Sequence, residues 1–223
     1  MARHITLRAL ARLLCYPDAA VRAALPHVRA ALAGDRRLDA ARRAQLDGLI
    51  DALQGDPLEA EARHVQTFDF GRATSLNLFE HVHGESRDRG AAMIDLRDTY
   101  LQGGLALADG ELPDYLPAVL EFASTQPPAL ADAFVGEFAH ILNALHAALA
   151  ERGSGHAAVV AAVLELTGHA VVPVSTVADE PIDGAWQEPA AFDGCSNKGQ
   201  SRTASPQPVH FVRSAPRSAR APS

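Results

Sequence analysis

Ten residues of this chain, HVHGESRDRG at positions 81–90, hold two histidines, two arginines, two acids and two glycines. No other stretch is as dense in groups that bind a metal, an anion or a proton. Two further signals carry metal chemistry: the Glu-x-x-His motifs Glu61–His64 and Glu137–His140. Carboxylate-bridged di-iron bundles use that motif on two helices, with a lone Glu from each of two others. Here no glutamate precedes Glu59, so the upstream carboxylate is missing as Glu. A wheel through the apolar stripe of Phe134, Ile141 and Leu145 puts Glu137 about 75° and His140 about 135° from the stripe's centre. His140 is expected to face solvent, and both motifs read as solvated helix faces. His81 and His83 fare no better as a shared metal site, because on a helix residues two apart diverge by about 160°.

The remainder of the stretch reads as a corner between helices. Gly84 suits a left-handed C-cap and Ser86 an N-cap. Asp88 in the next first turn agrees with the helix dipole, whereas Arg87 and Arg89 oppose it. They need an offsetting acid, for which Glu85 or Asp88 is nearest in sequence, or a bound anion or partner. No GxSxG, P-loop, GxGxxG or zinc-finger spacing occurs. The residues describe a binding protein without catalytic machinery.

Helices must position all of these groups. Apolar residues recur at spacings of three and four from residue 4 to about 168. The faces run through Ile5, Leu10, Leu13 and Leu14, then Val21 to Leu32, Leu38 to Leu53, Leu58 to Val65, Leu76 to Val82 and Met93 to Leu101. Pro113 is expected to open a seventh helix at a first-turn position. One long stripe from Leu130 to Leu149 predicts a single eighth helix, and Val159 to Leu166 a ninth. The expected fold class is all-α: a compact single-domain bundle of about eight or nine helices over residues 1–168. Half of the 14 prolines lie beyond His169, so residues 169–223 are expected to form a largely disordered tail, with anchors near Trp186 and Phe211.

Composition narrows the partners. The chain has 223 residues, 48% of them hydrophobic, and a net charge of −7. That length buries a real core, and that charge argues against a mainly electrostatic nucleic-acid binder. The two cysteines, Cys15 and Cys195, form no CxxC pair and suit a reducing compartment. Neither a signal peptide nor an apolar run long enough to span a membrane is present, so a cytoplasmic setting without stable membrane insertion is expected.

FDFGRATSLNLFEHVHGESRDRGAAMIDL (68–96) followed by ELPDYLPAVLEF (111–122) resembles the NarJ-type assembly chaperones of respiratory nitrate reductase, within the wider TorD-like group of redox-enzyme maturation chaperones. The resemblance extends from LLCYPD (13–18) to AWQEPAAFDGC (185–195). It implies an all-helical cytoplasmic chaperone whose client is the catalytic (alpha) subunit of nitrate reductase. It would hold that apo-subunit ready for insertion of the molybdenum–guanine dinucleotide, with no cofactor bound permanently to itself. The client's N-terminal, leader-like peptide and molybdenum cofactor biosynthesis proteins are the implied partners.

Such a peptide would lay its apolar face in a groove and meet acids at the edge. Glu111, Asp114 and Glu121 are candidate acids, with Tyr115 and Phe122 as walls. Asp114 has a second reading as a helix cap. Phe79, His83, Arg87, Asp88, Arg89 and Pro113 complete the expected partner-binding set. The wider group carries Glu-x-Pro-Asp-His where this chain has Glu111-Leu112-Pro113-Asp114-Tyr115, so a role needing an imidazole there is in doubt. Arg87 and Arg89 also suggest an alternative, a carrier of the cofactor itself.

Overall fold

The computed structural model describes residues 2–82 and 88–174. Ten α-helices and no strand occur among them: α1 Ala2–Leu14, α2 Ala19–Ala33, α3 Ala40–Gln54, α4 Pro57–Phe68, α5 Leu78–Val82, α6 Asp88–Gln102, α7 Leu116–Thr125, α8 Pro128–Glu137, α9 Ala139–Glu151 and α10 Ala157–Leu166. Side chains set several starts. Asp18, Asp39 and Asp56 each accept from the backbone N–H three residues on, at 2.7, 2.6 and 3.0 Å. These satisfy donors that a helix start leaves open.

The core is built around α1 and α10. Leu7, Leu10, Leu13 and Leu14 of α1 are buried, and α1 packs on α2, α7 and α10. Every residue of α10 from Ala158 to Leu164 is buried; a helix apolar all round belongs inside. Ile5, expected on the inner face of α1, is 55% exposed. Leu7 takes that place instead.

Two expected elements differ. The stripe from Leu130 to Leu149 is two helices, α8 and α9, meeting at Phe138 with a 66° bend. The bend lets Phe138 bury its ring against Phe134, 5.6 Å away, and toward Phe79 at 6.4 Å. It also leaves Gly136 facing His169, where a Cβ would come within 2.8 Å of the imidazole. Tertiary packing overrides a continuous helical pattern here. Similarly, Pro113 opens no helix: α7 begins at Leu116 with Pro117 in its first turn, and Pro113 lies buried in the preceding turn.

No single helix among the described residues is long and apolar enough to cross a membrane; α8 and α9 pass such a test only as a bent pair. Beyond α10, Asn143 of α9 holds the chain, accepting from Val172 N at 2.8 Å and donating to Ala170 O at 3.3 Å. The anchors expected near Trp186 and Phe211 lie outside the described residues.

Candidate functional site: a clamped corner

The corner is made by two segments distant in sequence. Leu78 N donates to Asp114 O and Leu116 N to Leu76 O, both at 2.9 Å, with Asn77 and Tyr115 forming an isolated antiparallel bridge. This pairs the SLNLF segment with the loop ELPDY. Asp114 is fully buried, and its Oδ2 accepts from Phe79 N at 3.1 Å. It therefore caps α5 from across the pairing, rather than capping α7 as its sequence position suggests.

Arg89 closes the clamp from α6. Its Nη2 lies 3.3 Å from Glu80 Oε1 and 3.7 Å from Asp114 Oδ2. Burial alone would push Glu80 up, but bonds from Ser75, Asn77 and Arg89 outweigh it and hold the carboxyl below its ordinary value. For Asp114 burial wins: its carboxyl is raised, despite the opposing pull of the Phe79 N–H and of Arg89. Its Oδ1 is buried without a hydrogen-bond partner. Tyr100 donates to Pro113 O at 2.7 Å, and burial followed by the Asp114 charge raises its phenol.

The acids offsetting Arg89 are thus Glu80 and Asp114, not Asp88, which is exposed on the surface of α6. Arg87, His83 and Glu85 lie outside the described residues. With Arg89 engaged to two carboxylates, its part in carrying a cofactor phosphate loses its main premise. His81 Nε2 lies 2.9 Å from Ser75 O, which ties that ring to the same corner.

Among the eleven expected partner-binding residues, Phe79, Arg89, Pro113, Asp114 and Tyr115 are brought together here. Two placements correct the groove expected from sequence. Asp114 is fully buried, so it presents no carboxylate at an edge. Phe122 is 4% exposed and stacks on Tyr100 and Phe134 at 4.8 and 4.9 Å, so it belongs to the core and walls no groove. Asp114 is drawn in by the pairing of the ELPDY loop with the SLNLF segment, and Phe122 by the rings of Tyr100 and Phe134. Glu111 and Glu121 are exposed, and Tyr115 is half-buried with its phenol raised by burial. Glu111 is also tied to its own turn, accepting from Ala108 N at 3.0 Å.

Sequence reasoning missed Glu80 and Tyr100, whose partners sit nine and thirteen residues away. It also placed His64 on a solvated face. His64 is 6% exposed and packs with Tyr16, Phe68 and His156 at ring separations of 5.5, 4.7 and 6.2 Å. Glu137 and His140 are exposed, as the wheel expected, although the helix assumed for it is broken. Among the described residues no three His, Cys, Asp or Glu side chains gather so as to hold a metal ion.

This assembly is a structural clamp that fixes α5, α6 and the start of α7 relative to one another. Comparison with known proteins agrees with the signature that lies on it. The family model for the nitrate reductase delta subunit matches residues 35–162, from before α3 into α10. The nitrate reductase molybdenum cofactor assembly chaperone NarJ of Escherichia coli K12 is 40% identical over 195 residues, covering 82% of this chain and 83% of its own. The probable assembly chaperone NarW of the same strain is 39% identical over 61% of this chain and 63% of its own. The probable NarJ of Bacillus subtilis 168 is 40% identical over 55% and 66%. These relatives are named as chaperones, not as enzymes. With the family model covering more than half of the chain and NarJ aligned along most of it, this chain belongs to the nitrate reductase delta subunit family, whose NarJ-type members are cofactor assembly chaperones.

Proposed function

We propose that the protein is a dedicated chaperone for the catalytic (alpha) subunit of a respiratory nitrate reductase. It binds the apo-subunit, including an N-terminal leader-like segment, and keeps it competent for molybdenum cofactor insertion before assembly at the membrane. It acts in the cytoplasm, alongside molybdenum cofactor biosynthesis proteins, and holds no permanent cofactor of its own. The observation that carries this reading is the 40% identity to NarJ over most of both chains.

Surface chemistry supports a peptide-binding mode. Ile94 and Leu101 of α6 are 63% and 52% exposed, two helical turns apart and so on one face. The loop that follows presents Leu112, 44% exposed, beside the exposed Glu111. An amphipathic basic segment would set its apolar anchors on the first three and its charge on Glu111.

The test is titration calorimetry of the full chain with a synthetic peptide of the first ~15 residues of the catalytic subunit, a length typical of helix-in-groove ligands. Saturable heat is expected, weakened at least about tenfold by Leu101→Asp. A folded protein giving no heat with a soluble peptide overturns the leader-segment mode. The chaperone role has its own readout, the molybdenum content of nitrate reductase in cells lacking their own chaperone and supplied with this gene. Unrestored molybdenum overturns it.

A further inference from the structure

Helix α6 has a small footing on the body. Leu96 and Tyr100 are its buried residues, two of fifteen, whereas α2 and α3, equally long, each bury four. Among the described residues no other helix packs closely along it, as α7 does along α1. Ile94 and Leu101 are left to solvent on its outer side. Its own sequence does little to hold the helix, since Gly90, Asp95, Asp98 and Thr99 are weak helix formers. Sparse apolar burial and few neighbours are the marks of a segment that opens separately from the rest.

Two side chains near its ends fasten α6. Near the start, Arg89 reaches Glu80 and Asp114 at 3.3 and 3.7 Å. Toward the other end, Tyr100 sets its ring against Phe122 and Phe134 at 4.8 and 6.2 Å and donates to Pro113 O at 2.7 Å. Both fasteners thus bear on the Pro113–Asp114 turn, and that turn also works against them. Asp114 is fully buried and its Oδ1 has no hydrogen-bond partner. A carboxylate oxygen left so is costly until water reaches it, so release of α6 relieves part of what docking gains. The chain leaves α6 through Gly103 and Gly104, the second at φ +84°, a pair free to absorb a change of backbone angle.

We infer that α6 is a flap, turning about Gly103–Gly104 and latched by Arg89 and Tyr100, that undocks as a unit while the core of α1, α7 and α10 stays folded. Undocking uncovers the rings of Phe122 and Phe134 together with the Asp114 carboxylate. The closed form keeps this aromatic surface, with an acid at its margin, out of solvent. The core survives the release because α1 packs on α2, α7 and α10 without α6. This goes beyond the chaperone reading and does not depend on it.

The experiment is hydrogen exchange of the full chain at neutral pH, read by mass spectrometry. The hydrogen-bonded amides of α6 should exchange together, at least about a hundredfold faster than those of α10. Tyr100→Phe keeps the ring and removes the bond to Pro113 O; Arg89→Gln removes the ion pairs. Each should speed exchange across α6 at least about threefold and leave α10 unchanged. Arg89→Gln should also raise the fluorescence of anilinonaphthalene sulfonate, a dye that reports uncovered apolar surface. Four results overturn the inference: α6 exchanging as slowly as α10, both substitutions leaving α6 unaffected, both speeding α6 and α10 alike, or dye fluorescence that stays at the parent's level. Since no client peptide enters the assay, its failure leaves the chaperone reading standing.

Discussion

Asp114 sits at the centre of the signature corner, and its two oxygens have different fates. One caps α5 and faces Arg89; the other is buried without a partner. Because burial raises its carboxyl, the folded state binds this proton more readily than the unfolded chain does. The charge therefore costs stability at neutral pH, a cost removed as pH falls to the ordinary carboxylate range. Asp114→Asn keeps an acceptor for the Phe79 N–H and removes the charge, so urea denaturation at pH 7 should find it within about 1 kcal/mol of the parent. Asp114→Leu removes the acceptor and should cost about 2–3 kcal/mol. Equal losses in both variants would mean that the charge itself holds the corner. At Tyr115, where the wider group has histidine, the ring packs against the core while half-buried. Tyr115→Phe should stay within about 0.5 kcal/mol, whereas Tyr115→Ala should lose about 2–4. A large effect of the phenylalanine variant would reveal a working hydroxyl.

At the scale of elements, the turn from α6 toward α7 is held open for an aromatic ring. A side chain at Gly103 would collide with Phe122, whose own ring is pinned between Tyr100 and Phe134. Next to it, Gly104 has φ +84°, a left-handed conformation that glycine adopts without strain. Gly103→Ala should therefore destabilise by about 1–3 kcal/mol through overpacking. Gly90→Ala, within α6 and with open space around its Cβ, should instead stabilise by about 0.5–1 kcal/mol. Opposite shifts in the urea midpoint are expected; shifts of the same sign would show that the ring stack adapts. The α8–α9 junction makes the same point about packing. A 3.6-residue pattern runs unbroken through Phe138, yet the chain bends there to bury that ring, a choice made by neighbours from α5 and the 169 region.

For the molecule as a whole, pH reaches stability through buried imidazoles. Burial holds His64 below its ordinary 6.5, and burial followed by the neighbouring His64 and Arg63 holds His156 down at about 3. The unfolded chain takes up these protons near pH 6.5, while the folded chain takes up that of His156 only near pH 3. The stability they permit is complete above about pH 6.5 and is lost progressively as pH falls toward 3. Each group sets a limiting slope of about 1.4 kcal/mol per pH unit. Melting temperature should fall from pH 7 to pH 5. His156→Phe, whose ring would still pack on Phe68, should flatten that fall. An unchanged pH profile would place the acid sensitivity elsewhere.

The sequence by itself determined the helical class, most helix boundaries and the family, because apolar spacing, caps and long runs of motif are local properties of the chain. It also put His140 in solvent, since wheel geometry is local too. What only the tertiary structure decided were the partners. Glu80 and Asp114 answer Arg89, Asp114 caps a helix thirty-five residues upstream, and Phe122 belongs to the core. His64 joins an aromatic cluster. Such pairings depend on which faces the packed helices bring together, and no spacing within a single helix encodes them.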